Sequence, residues 1–261
     1  QIDDKAILID PLFSNSVAQV LRRYVEPGLD LRDLGKLDLV LISHSHMDHL
    51  NLSSISAVEE KFPGTPLIFP DGVEEFLPDY NLKFVRMKTA SGKKEKYTGE
   101  TRVINGVEIT TVKAYHWGGR YGVDGKLWEK KGATGYIIRY NGKTVYFSGD
   151  TSYNKNFFTY LGENYKIDLE VISIIYCKDC DEVNQGNAHL FPKGVLKIAD
   201  DTRALMTIPV HYGTFTDPRK QYPVLERMLR SDDYYRGRVK ILKLGEQLFV
   251  TDTYSSREAG K

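Results

Sequence analysis

The sequence has little cysteine: Cys177 and Cys180 are the whole supply in 261 residues. One pair cannot make the disulfide framework of a small secreted scaffold or a four-cysteine zinc site, so the lone Cys-x-x-Cys reads as loop cysteines or a local redox pair. That usage favours a reducing, cytoplasmic setting. Long apolar runs are missing too. A membrane span needs ~18–20 such residues, and the longest clean stretches, 37–43 and 169–176, are of strand length. Nor is there an excess of charge of one sign: 36 basic against 35 acidic side chains leave +1, which excludes a nucleic-acid binder driven by its electrostatic field. No repeat, low-complexity tract or linker divides the chain, and it reads as one domain over residues 1–261.

What is present is enough for a core. Apolar residues make up 41%, with 17 Tyr and 11 Phe, and this rules out disorder as a whole-chain state. The first residue is Gln, and Ile2-Asp3-Asp4-Lys5 reads as a tight turn into a strand Ala6–Asp10. The chain is therefore expected to start inside a hairpin, with a first strand, and any targeting or lipid-attachment segment, lying before Gln1.

Strand-like runs recur at 6–10, 39–43, 66–69, 83–87, 101–104, 107–115, 134–140, 143–148, 169–175, 205–210, 239–242 and 247–251. Asn105-Gly106 and Asn141-Gly142 each separate two of them. A type I′ turn needs positive φ at both central residues, which Asn-Gly supplies, so two antiparallel hairpins are expected. Helical patterns fall at 53–62 with Ser53 as cap, 71–77, 153–161 with Thr151 or Ser152 as cap, 192–199 with proline in the first turn, and 221–229. Residues 16–25 place Val17, Val20, Leu21, Tyr24 and Val25 at helical spacing opposite Arg22 and Arg23, a helix or loop that covers the core or touches anionic lipid. Segments 90–96 and 118–132 read as surface loops. The mixture predicts a layered α/β protein with mixed sheets.

Three of only six histidines fall within His44-Ser45-His46-Met47-Asp48-His49. In an extended segment His44, His46 and Asp48 share one side, and His49 joins them once the chain turns. Imidazole with carboxylate suits zinc, manganese or iron. Elsewhere apolar strands run directly into further donors: His116 after 109–115, Asp150 after 145–148, and His211 after 205–210, with His189 following the strand 169–176. Polar residues at the carboxyl ends of strands form the rim on which α/β proteins build sites, so all six histidines can converge.

The run H-x-H-x-D-H, with His116, the step Gly149-Asp150-Thr151 and His211, resembles the metallo-β-lactamase superfamily along most of the chain. Tyr115-His116-Trp117, Leu127-Trp128, 146–151 and 208–215 are similar to the branch of N-acylphosphatidylethanolamine-hydrolysing phospholipase D and its bacterial relatives, with the L-ascorbate-6-phosphate lactonases as neighbours. The resemblance implies a four-layer αββα sandwich and two divalent ions, zinc first and manganese or iron as alternatives. It puts one ion on His44, His46 and His116, the other on Asp48, His49 and His211, and Asp150 between them. It further implies a hydrolase whose nucleophile is a metal-bound hydroxide, acting on a phosphodiester such as a phospholipid; the alternatives are a lactone or other carbonyl ester, or a non-catalytic metal-binding protein. Asp48 would also orient the hydroxide, and His189 would orient substrate or donate a proton, against the reading of a hydrogen-bonded loop histidine. Ser148 and Thr151 are candidates to hydrogen-bond the ligands, and Trp117, Tyr121 and Trp128 to line a lipid or sugar pocket. Two departures stand out: Asn51 where the branch has Asp, and an unusual segment 175–187. The expected partner is a small-molecule or lipid ester, with peripheral membrane contact as its only membrane role.

Overall fold

Short runs that are apolar at every position belong to strands buried on both faces, and Leu39-Val40-Leu41 and Pro66-Leu67-Ile68-Phe69-Pro70 are of that kind. The structure, a computed structural model, describes residues 1–18, 20–90, 96–121, 132–175, 182–186, 188–219, 223, 226–227 and 237–250. Strands β1 (Ile7–Ile9), β2 (Ser16–Val17), β3 (Leu21–Arg22) and β4 (Leu39–Leu41) precede helix α1 (Leu52–Lys61). Then come β5 (Pro66–Pro70), β6 (Lys83–Met87), β7 (Thr98–Ile104), β8 (Val107–Lys113), β9 (Thr134–Tyr140) and β10 (Lys143–Phe147). Helix α2 (Lys155–Asn164), β11 (Leu169–Ser173), β12 (Asn184–Gln185), β13 (His189–Leu190), α3 (Pro192–Thr202) and β14 (Met206–Val210) complete the order.

Two sheets carry the fold. One is parallel throughout, in the order β1-β4-β5-β6. The other, β14-β11-β10-β9-β8-β7, is mixed: antiparallel from β7 to β10 and parallel from β10 to β14. Alternation along each strand sorts the core into layers. Leu39, Leu41, Ile68 and Met87 meet Val107, Ile109, Tyr136 and Ile138 between the sheets. Val40, Ile42, Leu67 and Phe69 point the other way onto Ile55 and Val58 of α1. Ile137, Tyr146 and Ile172 point outward onto Phe157, Phe158 and Leu161 of α2 and Val195 and Ile198 of α3. Helix, sheet, sheet, helix is the four-layer αββα sandwich.

Both Asn-Gly hairpins form: Asn105 and Gly106 sit at φ 51° and 82°, Asn141 and Gly142 at 47° and 74°, joining β7 to β8 and β9 to β10. Pro192 opens α3 as expected. Several local expectations are corrected. Residues 16–25 are the two-stranded hairpin β2–β3, not a helix: Val17 pairs with Leu21, the backbone N–H of Tyr24 bonds the carbonyl of Thr214, and Arg23 donates to the carbonyls of Leu12 and Val25. These tertiary bonds override the helical spacing. Helix α1 is capped by Asn51, whose Oδ1 accepts from the Ser54 N–H and from both Ser53 and Ser54 hydroxyls. Helix α2 starts later than expected and is capped by Asn154. Residues 73–76 form a 3₁₀ turn, and Val239 makes a single bridge to Thr207 in place of a strand. Residues 247–250 carry no strand. Segments 91–95 and 122–131, Trp128, both cysteines and most of 221–229 lie outside the described residues.

One polar group interrupts the outer core of the mixed sheet. Glu170 of β11 shares the parity of Ile172 and is fully buried. Its Oε1 accepts from Thr207 Oγ1 at 2.7 Å, while Oε2 and the hydroxyl of its cross-strand partner Tyr146 have no hydrogen-bond partner. Burial raises the Glu170 carboxyl to about 7, against the lowering effects of Thr207, Thr202 and Arg238. No helix among the described residues is long and apolar enough to cross a membrane.

Candidate metal centre

The sandwich brings the carboxyl ends of both sheets to one edge, and the donors sit there. β4 runs into His44, β8 through Ala114 and Tyr115 into His116, β10 through Ser148 and Gly149 into Asp150, and β14 into His211. Gly149 turns the chain at φ 57°, and a Cβ there would lie 2.7 Å from the Thr134 carbonyl oxygen. The H-x-H-x-D-H run is extended only at its start, where His44 bridges Ala133. From His46 it turns, with the N–H groups of His49 and Leu50 both bonding the His46 carbonyl, and this turn swings His49 inward. The segment after His116 is stitched onto it: Ser45 Oγ donates to the Gly119 carbonyl, and Arg120 donates to the carbonyls of Ser45 and Leu50.

All six histidines converge. The potential donor atoms form four overlapping groups, His44–His46–His116, His44–His49–Asp150, Asp48–His49–His211 and His116–Asp150–His189, each within 4.8 Å. His44 Nε2 is 2.9 Å from His46 Nδ1, which is 3.2 Å from His116 Nε2. His49 Nε2 is 3.1 Å from His211 Nε2, which is 3.3 Å from Asp48 Oδ2. Asp150 Oδ2 lies 3.3 Å from His49 Nε2, 3.6 Å from His211 Nε2, 3.6 Å from His189 Nδ1 and 4.0 Å from His116 Nε2. Asp150 Oδ1 is buried without a hydrogen-bond partner.

The outward nitrogens are occupied, which aims the inward ones. His44 Nδ1 meets Ser43 Oγ at 2.9 Å, His49 Nδ1 meets Asp10 Oδ2 at 2.8 Å, and His116 Nδ1 meets the Ala188 carbonyl at 3.0 Å. His211, at φ 68°, places Nδ1 3.4 Å from the Ile174 carbonyl. Such partners fix the tautomer and orientation of metal-binding imidazoles. Asp10 and Ser43 were not singled out in the sequence, although Asp10 stands, like the other donors, at the carboxyl end of its strand. Ser148 and Thr151 do not serve as expected: Ser148 Oγ bonds backbone at Gly149 and Ser173, and Thr151 Oγ1 bonds backbone at Tyr115 and Ser152. Asn51 is committed to capping α1. Trp117 stacks on His116 with centroids 4.4 Å apart and meets His46 edge-on, whereas Tyr121 packs against Phe76.

The charges divide by cluster. Burial, then the neighbouring rings, holds His44 well below the ordinary imidazole value, and burial pushes His116 down to about 3 and lowers His46. These three rings are neutral donors near pH 7. Burial also works against charge on His49 and His211, but Asp150 and Asp48 outweigh it and raise both. Those imidazoliums in turn hold both carboxyls below the carboxylate range, despite burial. Burial lowers His189. His189, His211 and Asp48 keep 21%, 24% and 30% of their side chains exposed and form the open side of the cluster.

Residues 5–212 match the beta-lactamase superfamily domain. The chain belongs to that superfamily. This superfamily member is 29% identical over 220 residues to the mitochondrial N-acyl-phosphatidylethanolamine-hydrolyzing phospholipase D of Saccharomyces cerevisiae, covering 80% of this chain and 44% of the yeast protein. It is 27% identical over 249 residues to a metal-dependent hydrolase of Pyrococcus abyssi, covering 94% and 92% of the two chains. It thus spans less than half the length of its yeast relative. Among solved structures, the isothiocyanate hydrolase from Delia radicum gut bacteria superposes with a TM-score of 0.66 at 18% identity, covering 96% of this chain and 95% of that one. The metallo hydrolase Igni18 of Ignicoccus hospitalis gives 0.62 at 19%, covering 95% and 91%. At those identities the likeness speaks to the fold. The Pyrococcus relative is named as a metal-dependent hydrolase, and the grouped His and Asp donors of this chain could hold a metal.

Proposed function

We propose that the chain is a metal-dependent hydrolase that works with two divalent ions and cleaves a phosphodiester, with a phospholipid of the N-acylethanolamine type as the leading substrate class. The carrying observation is that two three-donor groups, His44–His46–His116 and Asp48–His49–His211, meet at Asp150. The donors fit the ions. Neutral imidazole nitrogens facing one another at 2.9 and 3.2 Å, and a buried carboxylate oxygen without a partner, are what a cation would relieve. Zinc suits the set first; manganese and iron are the alternatives. When bound, such ions supply Lewis acidity, acidifying water and polarising an ester oxygen.

The residues of the open side have the remaining work. Asp48, a ligand with a second carboxylate oxygen, accepts a hydrogen bond from the attacking water and sets its direction. His189, whose Nδ1 lies 3.6 Å from Asp150 Oδ2 and whose proton affinity burial lowers, would orient the ester or protonate the departing oxygen. Trp117 walls the first cluster. The phosphodiester assignment leans on the yeast relative's named activity. A carbonyl-ester or lactone substrate is the second reading, because the grouped donors are His and Asp alone among the described residues and no cation among them demands phosphorus. Donors spread from His44 to His211 serve one site, which supports reading the chain as a single domain.

Elemental analysis of the purified protein beside an identically prepared His46→Ala variant tests the centre. About two ions per chain in the wild type, with a sharp fall in the variant, is the expected result; well under one ion, unchanged by the mutation or by reconstitution, would sink it. Turnover of bis(p-nitrophenyl) phosphate against a lactone panel then decides the substrate class, since lactone cleavage without phosphodiesterase activity overturns the phosphodiester reading.

A further inference from the structure

The carboxylate of Asp10 belongs to none of the donor groups, yet it is joined to two of them, His44–His46–His116 and Asp48–His49–His211. Its Oδ1 accepts from the Ser43 N–H at 2.7 Å, and its Oδ2 accepts from Ser43 Oγ at 2.6 Å and from His49 Nδ1 at 2.8 Å. Ser43 Oγ in turn lies 2.9 Å from His44 Nδ1. A hydroxyl has one proton. Ser43 gives that proton to Asp10, so toward His44 it can only accept, and His44 must carry its proton on Nδ1. His49 likewise must donate from Nδ1. Both rings are therefore left with Nε2 as the inward nitrogen, one in each donor group. Only 8% of the Asp10 side chain is exposed, so water does not compete for these bonds.

We infer that Asp10 is a positioning residue that sets the tautomers of His44 and His49 together, and so couples the two ion sites through one acceptor. The inference rests on the two-ion reading above. Asp10 sits at φ 45°, a region that Asp and Asn both tolerate, so Asp10→Asn is nearly isosteric and leaves the backbone unstrained. With the amide oxygen retained on the Ser43 N–H, the amide nitrogen replaces Oδ2 and becomes a donor. Ser43 Oγ must then accept from it and turn its own proton toward His44 Nδ1, and His49 Nδ1 also faces a donor. Both rings are driven to the Nε2–H form, with a proton where the ion should bind. Ser43→Ala breaks only the branch to His44 and leaves the Asp10–His49 bond in place.

Three preparations, wild type, Asp10→Asn and Ser43→Ala, are compared by elemental analysis and by zinc competition against a chromophoric chelator, with thermal melts of the metal-free proteins to show that each is folded. Asp10→Asn is expected to lose ~10–100-fold in zinc affinity at both sites, and Ser43→Ala a similar factor at one. Nitrogen NMR of the metal-free proteins gives a readout independent of zinc: neutral His44 should be Nδ1–H in the wild type and Nε2–H in Asp10→Asn. A wild type that holds two ions while Asp10→Asn holds two with unchanged affinity, or an unchanged His44 tautomer in that variant, overturns the coupling alone. A wild type that takes up less than one ion overturns the two-ion reading and the coupling with it.

Discussion

Replacing Glu170 with Gln should change how stability depends on pH, and the size of the change follows from the burial of one carboxyl. In the folded chain Glu170 keeps its proton up to about 7, whereas a glutamate in an open chain loses it at 4.5. Between those values the native state holds one proton more than the unfolded state, so folding stability falls as pH rises through the interval. Each pH unit is worth 1.36 kcal/mol, and the full interval therefore removes roughly 3 kcal/mol from the wild type by its alkaline end. An amide has the same shape, keeps an acceptor for Thr207 and does not titrate. Urea denaturation of metal-free wild type and Glu170→Gln at a series of pH values on both sides of the interval measures the difference directly. The variant should gain on the wild type by roughly 3 kcal/mol from the acid to the alkaline side. A difference that stays constant across the series would show that the buried carboxyl does not govern this dependence.

Other expectations are simpler. Asn51→Ala removes the acceptor that caps α1 and should cost ~1 kcal/mol in a urea melt, with metal content unchanged. Gly149→Ala forces a Cβ against the Thr134 carbonyl at a positive φ; it should displace Asp150, so that both thermal stability and bound metal fall when measured on one preparation. His189→Ala should lower kcat by ~10²–10⁴ on the substrate class identified, while elemental analysis still finds the wild-type metal content; a matching loss of metal would make His189 a ligand instead.

How much of this could be read in advance depended on how local the cause was. The Asn-Gly turns were legible because both residues of such a turn need a conformation that few others accept, and the observed φ values supply it. The donor rim was legible because His44, His116, Asp150 and His211 each stand within three residues of the end of an apolar strand. For residues 16–25 the helical spacing misled, because their outcome is set from a distance: Thr214 and Leu12 accept bonds that a helix could not have made. The caps slid by a few residues, since Asn51, Ser53 and Ser54 all carry groups able to cap and only the path of the chain decides which one does. Asp10 was hidden for a related reason. Its partners are 33 and 39 positions away, and nothing in its neighbourhood marks it as different from any carboxylate that ends a strand.

The donors at the open edge come from both sheets, and the loop between the first and last spans 44 to 211. An ion seated among them would act on the chain as a crosslink does. It would close long loops whose closure the unfolded chain resists only logarithmically, and it would stabilise the folded state by the affinity it holds for that state alone. The seam between the two sheets is otherwise largely apolar, Leu39, Leu41 and Met87 against Ile109, and its directional bonds lie near the same edge, where the Tyr136 hydroxyl donates to the Ile42 carbonyl and the Thr134 N–H to the Ser43 carbonyl. Ion bonds of fixed geometry would add to these, so that loading the site would further lock the sandwich against sliding.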